Sequence, residues 1–377
     1  MRALSLLLLV SLPLAGASPY SKNIEARNLA SLRSLITREP VAGLAVGNSI
    51  MEGGWVQALS DALPALRMTN AAVGGAQTSQ MGFVVAPLLP GDALTLQATR
   101  TNPALRGQRF ALVGGTRNEA DSYNSPDRLK AERIIYEGVI DDLLAAGVEP
   151  VVVSDPPQID MATGAIYPLS AVADPVLVQL QRDVARTKGV TFVNVWAQFM
   201  AMAAAGQDLR PLYIDGTHPE APGRQIIANM VRSALTAEPT HQVKRGSVSA
   251  TALVVAYPVG SGWRSTPNVL SSPLSTLVVR GRSEVYALNT GETASVLIPN
   301  ATRAWVNTVV QPHCGDVTIT WMLGSQQFPV PGCSGPDTIV HREQTNDLGP
   351  VPAGRLTVKN NSARLMEVVG VLLALPR

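Results

Sequence analysis

Three residue types able to carry acyl-transfer chemistry stand where short apolar runs give way to polar turns. Ser49 ends the stretch LAVGNS (Leu44–Ser49), an apolar run that turns polar just before a helix-like segment. Asp215 and His218 bracket the tetrapeptide DGTH, and His218 is the sole histidine between residues 40 and 237. A serine hydroxyl is a weak nucleophile until a base removes its proton. An imidazole can do this, and a carboxylate three residues away can orient and charge-stabilise it. Attack on an acyl carbonyl creates an oxyanion that needs donors. The N–H of Ser49, the N–H of Gly75 in NAAVGGAQTSQ and the side-chain amide of Asn118 in GGTRNE can supply them. Losing one such donor typically costs about 2.7 to 4 kcal/mol of transition-state stabilisation. Each residue also has a plainer reading. Asn48 and Ser49 can cap a helix, DGTH can be a turn, Gly74-Gly75 can serve chain reversal, and Asn118 can be a turn residue.

What brings these residues together must be the elements that precede them. Between about residues 40 and 237, Val- and Ala-rich runs (VAGLAVG, RFALVGG, EPVVVSD, VTFVNVW) alternate with helical segments. DRLKAERIIYEGVIDDLLAAG sets Leu129, Ile134, Val139 and Leu143 on a helical stripe, with Gly147 placed to end it. PVLVQLQRDVART and APGRQIIANMVRSAL read in the same way. This alternation predicts βαβ units, a parallel sheet and an open three-layer α/β sandwich. The turns after its strands share the carboxyl edge, where such sheets build their sites. The proline-bearing stretch at about 86–108 breaks the rhythm and is a candidate to line a pocket.

With these four segments in this order, the region from about 40 to 237 resembles the SGNH hydrolases, also called GDSL-type esterases and lipases. Gly47-Asn48-Ser49 corresponds to the Gly-Asp-Ser block, NAAVGGAQTSQ to the glycine block, GGTRNE to the Gly-x-Asn-Asp block and DGTH to the Asp-x-x-His block. The resemblance implies a three-layer α/β/α, flavodoxin-like domain. It also implies a Ser49–His218–Asp215 triad, an oxyanion hole of Ser49, Gly75 and Asn118, and ester hydrolysis without a metal or cofactor. Two departures stand out. Asn48 replaces the family's aspartate, and the third block carries Thr116 and Arg117 before Asn118, with Glu119 where aspartate is usual.

The rest of the chain narrows the setting. The 377 residues carry a net charge of +2 without a long basic run, which argues against a dedicated nucleic-acid surface. Residues 1–17 combine Arg2, an apolar stretch from Leu4 to Leu14 and small residues at Ala15 and Ala17, the pattern of a signal peptide. That stretch is too short to anchor in a bilayer. The expectation is therefore a secreted or periplasmic protein, with no integral membrane segment after removal of the signal. An α/β domain is expected over 18–240. From 245 to 377, short Val/Thr-rich runs between Gly, Pro and Asn predict an all-β sandwich, jelly-roll-like. Its tryptophans, Trp263, Trp305 and Trp321, either stack on a glycan ligand or fill the core. Cys314 and Cys333 are expected to form a disulfide in an exported chain, free thiols being the alternative. Export and the β appendage favour a short-chain ester, foremost O-acetyl on carbohydrate. The substrate is then an acylated small molecule or polysaccharide. A lipase or lysophospholipase activity is the alternative, and a binding or structural protein with an inactive hydrolase domain is another.

Overall fold

The computed structural model describes residues 19–27, 40–72, 74–89, 95–236, 245–256, 264–266, 285–288, 291–310, 317–333, 342–359 and 366–377. The segment read as a signal peptide, Trp263 and Cys314 lie outside them, so the expected disulfide does too.

The first half is a six-stranded sheet of β1 (Ile24–Glu25), β2 (Val41–Val46), β3 (Leu66–Asn70), β5 (Phe110–Val113), β6 (Glu149–Val153) and β7 (Thr191–Val193), in the order β1-β7-β6-β5-β2-β3. All neighbours are parallel except β1, which runs antiparallel to β7 and covers that edge. Each strand side alternates between two helical layers. Leu44, Val46, Ala111, Val113 and Val152 face the helices Thr78–Val85, Pro126–Ala145 and Pro168–Lys188. Val41, Ala45, Phe110, Leu112 and Val151 face the helices Trp55–Ala62, Val195–Ala204 and Ala221–Thr236. Both faces are covered, which is why the strands read as nearly continuous apolar runs. Among the parallel strands, the order changes direction between β2 and β5. This is the topological switch point of a flavodoxin-like sheet, and it places the turns after those two strands side by side.

One helix departs from expectation. The segment read as starting at Pro175 belongs to a helix that starts seven residues earlier, at Pro168, with Pro175 inside it. Proline reads as a start because it fits the first turn, and inside a helix it sacrifices a backbone bond. Here the buried residues Ser170, Ala173 and Asp174 hold the preceding turns in place.

The second half is a sandwich of two sheets. One contains β8 (Thr251–Ala256), β9 (Arg264–Thr266), β10 (Val285–Leu288), β12 (Ala301–Val310), β15 (Arg342–Val351) and the long β17 (Met366–Pro376). The other has the order β11 (Thr293–Ile298), β16 (Gly354–Lys359), β13 (Val317–Leu323), β14 (Gln326–Cys333). Between them lie Val254, Val296, Val306, Trp321, Leu356, Val371 and Leu373. Trp321 is fully buried and Trp305 is 4% exposed, so both fill cores.

The first of these sheets is buried on its outer face as well. Leu253, Val255, Trp305, Leu372 and Ala374 alternate with the sandwich core residues and join the core of the α/β half. Gly138, on the helix Pro126–Ala145, makes the close approach possible: a Cβ there would lie 2.4 Å from Leu253 Cγ. The stretch considered as a pocket wall also serves this joint. Its two-residue strand β4 (Leu88–Leu89) pairs in parallel with β8, and Asn102 ties it back by donating to the carbonyls of Phe83 and Ala86. Buried Lys188 adds a polar tie, donating to Asp141, Ser249 Oγ and the Ser247 carbonyl. Fully burying a leucine-sized side chain is worth about 1.5 to 3 kcal/mol. The apolar seam therefore outweighs the exposed Arg303–Asp127 ion pair at its rim.

Candidate active site

The turn that carries Ser49 follows β2. Asn48 leaves the strand with extended backbone, and its Oδ1 accepts the N–H of Ile50 at 3.0 Å, capping the short helix Ser49–Glu52. Ser49 thus occupies the first position of a helix, where a backbone N–H has no intrahelical acceptor. The plain capping reading holds for Asn48, and it is compatible with a chemical role for the serine beside it.

His218 comes from the loop before the helix Ala221–Thr236. Tyr213 and Pro219 form an isolated bridge, and the Ile214 N–H donates to the His218 carbonyl at 2.8 Å, so the loop is closed at its base. Inside it, Asp215 Oδ1 accepts the N–H groups of Thr217 and His218 at 2.9 and 2.8 Å. Asp215 Oδ2 lies 2.7 Å from His218 Nδ1, and His218 Nε2 lies 3.0 Å from Ser49 Oγ. Partial burial pushes the Asp215 carboxyl up, but the backbone and side-chain bonds from His218 and the Thr217 N–H outweigh it. The net pKa is below the ordinary value. An ionised Asp215 calls for the tautomer with hydrogen on Nδ1, which leaves Nε2 free to accept from Ser49.

The glycine and asparagine segments meet beside the serine. Gly75 has φ +74°, a left-handed conformation that favours glycine, and a Cβ there would touch nothing within 4 Å. Its glycine character is set by the turn and not by crowding. Asn118 Nδ2 donates to the Ala76 carbonyl at 2.6 Å, tying the third block to the second, and the amide retains a second N–H. Glu119 is buried, and its Oε1 accepts the N–H of Thr78 at the start of the helix Thr78–Val85. Burial, and then the charge of Glu132, push its carboxyl up.

Two further residues belong to this neighbourhood and are not among those singled out from the sequence. Asp155, just beyond β6, is half-buried. Its Oδ2 accepts from Asn48 Nδ2 at 2.9 Å and from the Arg117 N–H at 3.1 Å. Arg117 in turn reaches Asp174 at 3.2 Å and the Pro156 carbonyl. Glu52, one turn after Ser49, accepts from the Gly74 backbone, and burial raises its carboxyl despite that bond and the proximity of His218. The strand-end rule could have flagged Asp155 in VVVSDPP, since it occupies the same carboxyl edge. Among the described residues, no group of three or more His, Cys, Asp or Glu could hold a metal ion. No helix among them is long and apolar enough to cross a membrane.

Comparison with known proteins agrees with this architecture. Residues 45–226 match the GDSL-like lipase/acylhydrolase family. Across both halves, the chain is similar to a two-domain esterase active on acetylated mannans, at 12% identity and a TM-score of 0.65. The match covers 95% of this chain and 99% of that one. The same esterase co-crystallised with mannopentaose matches equally, over 98% of its length. An acetylxylan esterase from Geobacillus stearothermophilus matches at 13% identity and a TM-score of 0.39, over 54% of this chain and 98% of its own. No curated protein matches.

Proposed function

Residues 45–226 of this chain belong to the GDSL-like lipase/acylhydrolase family, a family of carboxylic ester hydrolases, and we propose that this member is an exported serine esterase that removes O-acetyl groups from carbohydrate. The observation that carries the catalytic part is the unbroken relay from Ser49 Oγ to His218 Nε2 at 3.0 Å and from His218 Nδ1 to Asp215 Oδ2 at 2.7 Å.

In this mechanism Ser49 Oγ attacks the acyl carbonyl carbon while His218 Nε2 takes its proton. The carbonyl oxygen becomes an oxyanion held by the N–H groups of Ser49 and Gly75 and the free amide N–H of Asn118. Collapse breaks the bond to the alcohol oxygen, which leaves with the proton from His218. Water then attacks the acyl-serine with His218 again as base, releasing the carboxylic acid and restoring Ser49. Asp215 stays ionised and holds the imidazolium.

The substrate class is supported by the shared two-domain arrangement with the mannan-active esterase. One observation favours a longer acyl chain instead. Ile214, next to Asp215, is 53% exposed, and Met161 approaches the Gly216 turn. Hydrolysis of p-nitrophenyl acetate, butyrate, octanoate and palmitate tests both readings. Activity that depends on Ser49 and falls steeply beyond acetate supports deacetylation, and acetylated mannan and xylan are then the substrates to assay. A preference for octanoate supports a lipase. The Ser49→Ala protein should lose about 10⁴- to 10⁶-fold in kcat, and retained turnover would remove the assignment.

A further inference from the structure

We propose that Asp155 is a positioning residue that clamps the nucleophile turn to the oxyanion loop, and that Asn48, where the family's motif has aspartate, is its matched partner. This rests on the serine-esterase reading above. A single oxygen, Asp155 Oδ2, receives the Asn48 side-chain amide at 2.9 Å and the Arg117 N–H at 3.1 Å. Asn48 precedes the nucleophile and Arg117 precedes Asn118, so one carboxylate fixes the approach of both segments.

The surroundings are shaped around that carboxylate. Gly115 passes so close that a Cβ would fall 1.7 Å from Asp155 Oδ2, leaving no room for a side chain. The Arg117 guanidinium supplies compensating charge and is held by Asp174, which Ser170 also donates to. Asn48 uses both ends of its amide, Oδ1 toward the Ile50 N–H and Nδ2 toward Asp155. An aspartate at 48 reproduces the first contact. Its other oxygen meets Asp155 as a second carboxylate in a buried site, where two such groups cannot both ionise. The asparagine is therefore the residue this pocket requires, and the departure from the motif is not a sign of a decaying site.

The test is a charge swap in the full chain, followed by kcat and KM on p-nitrophenyl acetate. Asn48→Asp should lower kcat at least about tenfold near pH 8 and leave KM within about twofold, and its deficit relative to the parent at the same pH should shrink toward pH 5 as the pair takes up a proton. Adding Asp155→Asn exchanges donor and acceptor toward position 48 but turns an N–H toward the Arg117 N–H, so it should recover part of the lost kcat and not all of it. A merely structural role predicts that the two losses add. Parent-like activity of Asn48→Asp at pH 8, or a double variant no better than Asn48→Asp, overturns the proposal. If Asn48→Asp does not fold, Asn48→Ala carries the test. It should show lower kcat at unchanged KM and slower fluorophosphonate labelling of Ser49, and parent values for all three overturn the proposal. Turnover retained by Ser49→Ala sinks the esterase reading instead, so the two failures are distinct.

Discussion

In the proposed triad Asp215 has three tasks at once: it closes its own turn, orients the imidazole and carries the charge that the imidazolium needs. Only the last two concern catalysis, so they can be separated by substitution. Asparagine in its place can still accept the Thr217 and His218 N–H groups, and the loop should keep its shape. It cannot hold the same tautomer with the same charge. Asp215→Asn should therefore cost about 10⁴-fold in kcat with little change in melting temperature. Steady-state kinetics beside a thermal melt check this. A loss of stability matching the loss of rate would mean that the residue acts through the loop alone.

Secondary elements decide how much of this could be read in advance. Strands β2, β5, β6 and β7 stand out because they are buried on both sides and therefore apolar, and the ends of β2 and β5 locate Ser49 and Asn118. By contrast β3, which precedes Gly75, is the largely polar edge strand LRMTN. Two strands of the sandwich escape the same reading. β14 carries Pro329 and Pro331, and β15 is the polar run REQTNDLGPV with Pro350. Both are edge strands, where prolines and polar side chains protect an unpaired rim and imitate a loop. The Asp155 clamp was hidden for another reason: nothing local announces a carboxylate whose partners are 107 and 38 residues away. Helix packing gives an element-scale prediction. Gly138→Ala drives a methyl group into Leu253 and should destabilise the protein by about 1 to 3 kcal/mol. Chemical denaturation measures this, and the double variant Gly138→Ala/Leu253→Ala should recover part of the loss if the clash is its cause.

At the scale of the whole molecule, the two halves meet along a seam that contains ionisable groups. A cavity of about 330 Å³ lies between them, lined by Glu119, Glu132, Arg128, Trp305 and Asn346 among others. Burial is the main reason that the Glu132 carboxyl is pushed up to about 7. The nearby Thr78 hydroxyl and the charge of Arg303 oppose the rise, while Asp347 and Asp121 add to it. A carboxyl raised from 4.5 in this way favours the folded state while protonated. That contribution is complete below about pH 4.5 and is lost as the pH rises through 7. Glu132→Gln should accordingly raise the melting temperature near pH 8 and leave it nearly unchanged near pH 4. An equal shift at both would show that the charge is irrelevant.

The distance in sequence between β17 and what it covers bears on the order of events in synthesis. Its residues 371–375 complete the sandwich and cover the α/β half. The helices that they cover are made more than 200 residues earlier, and until β17 emerges those helices expose an uncapped apolar surface. The α/β half therefore cannot finish folding as it is made. Loss of β17 alone would leave a protein with every proposed catalytic group in its sequence and no stable way to enclose its core.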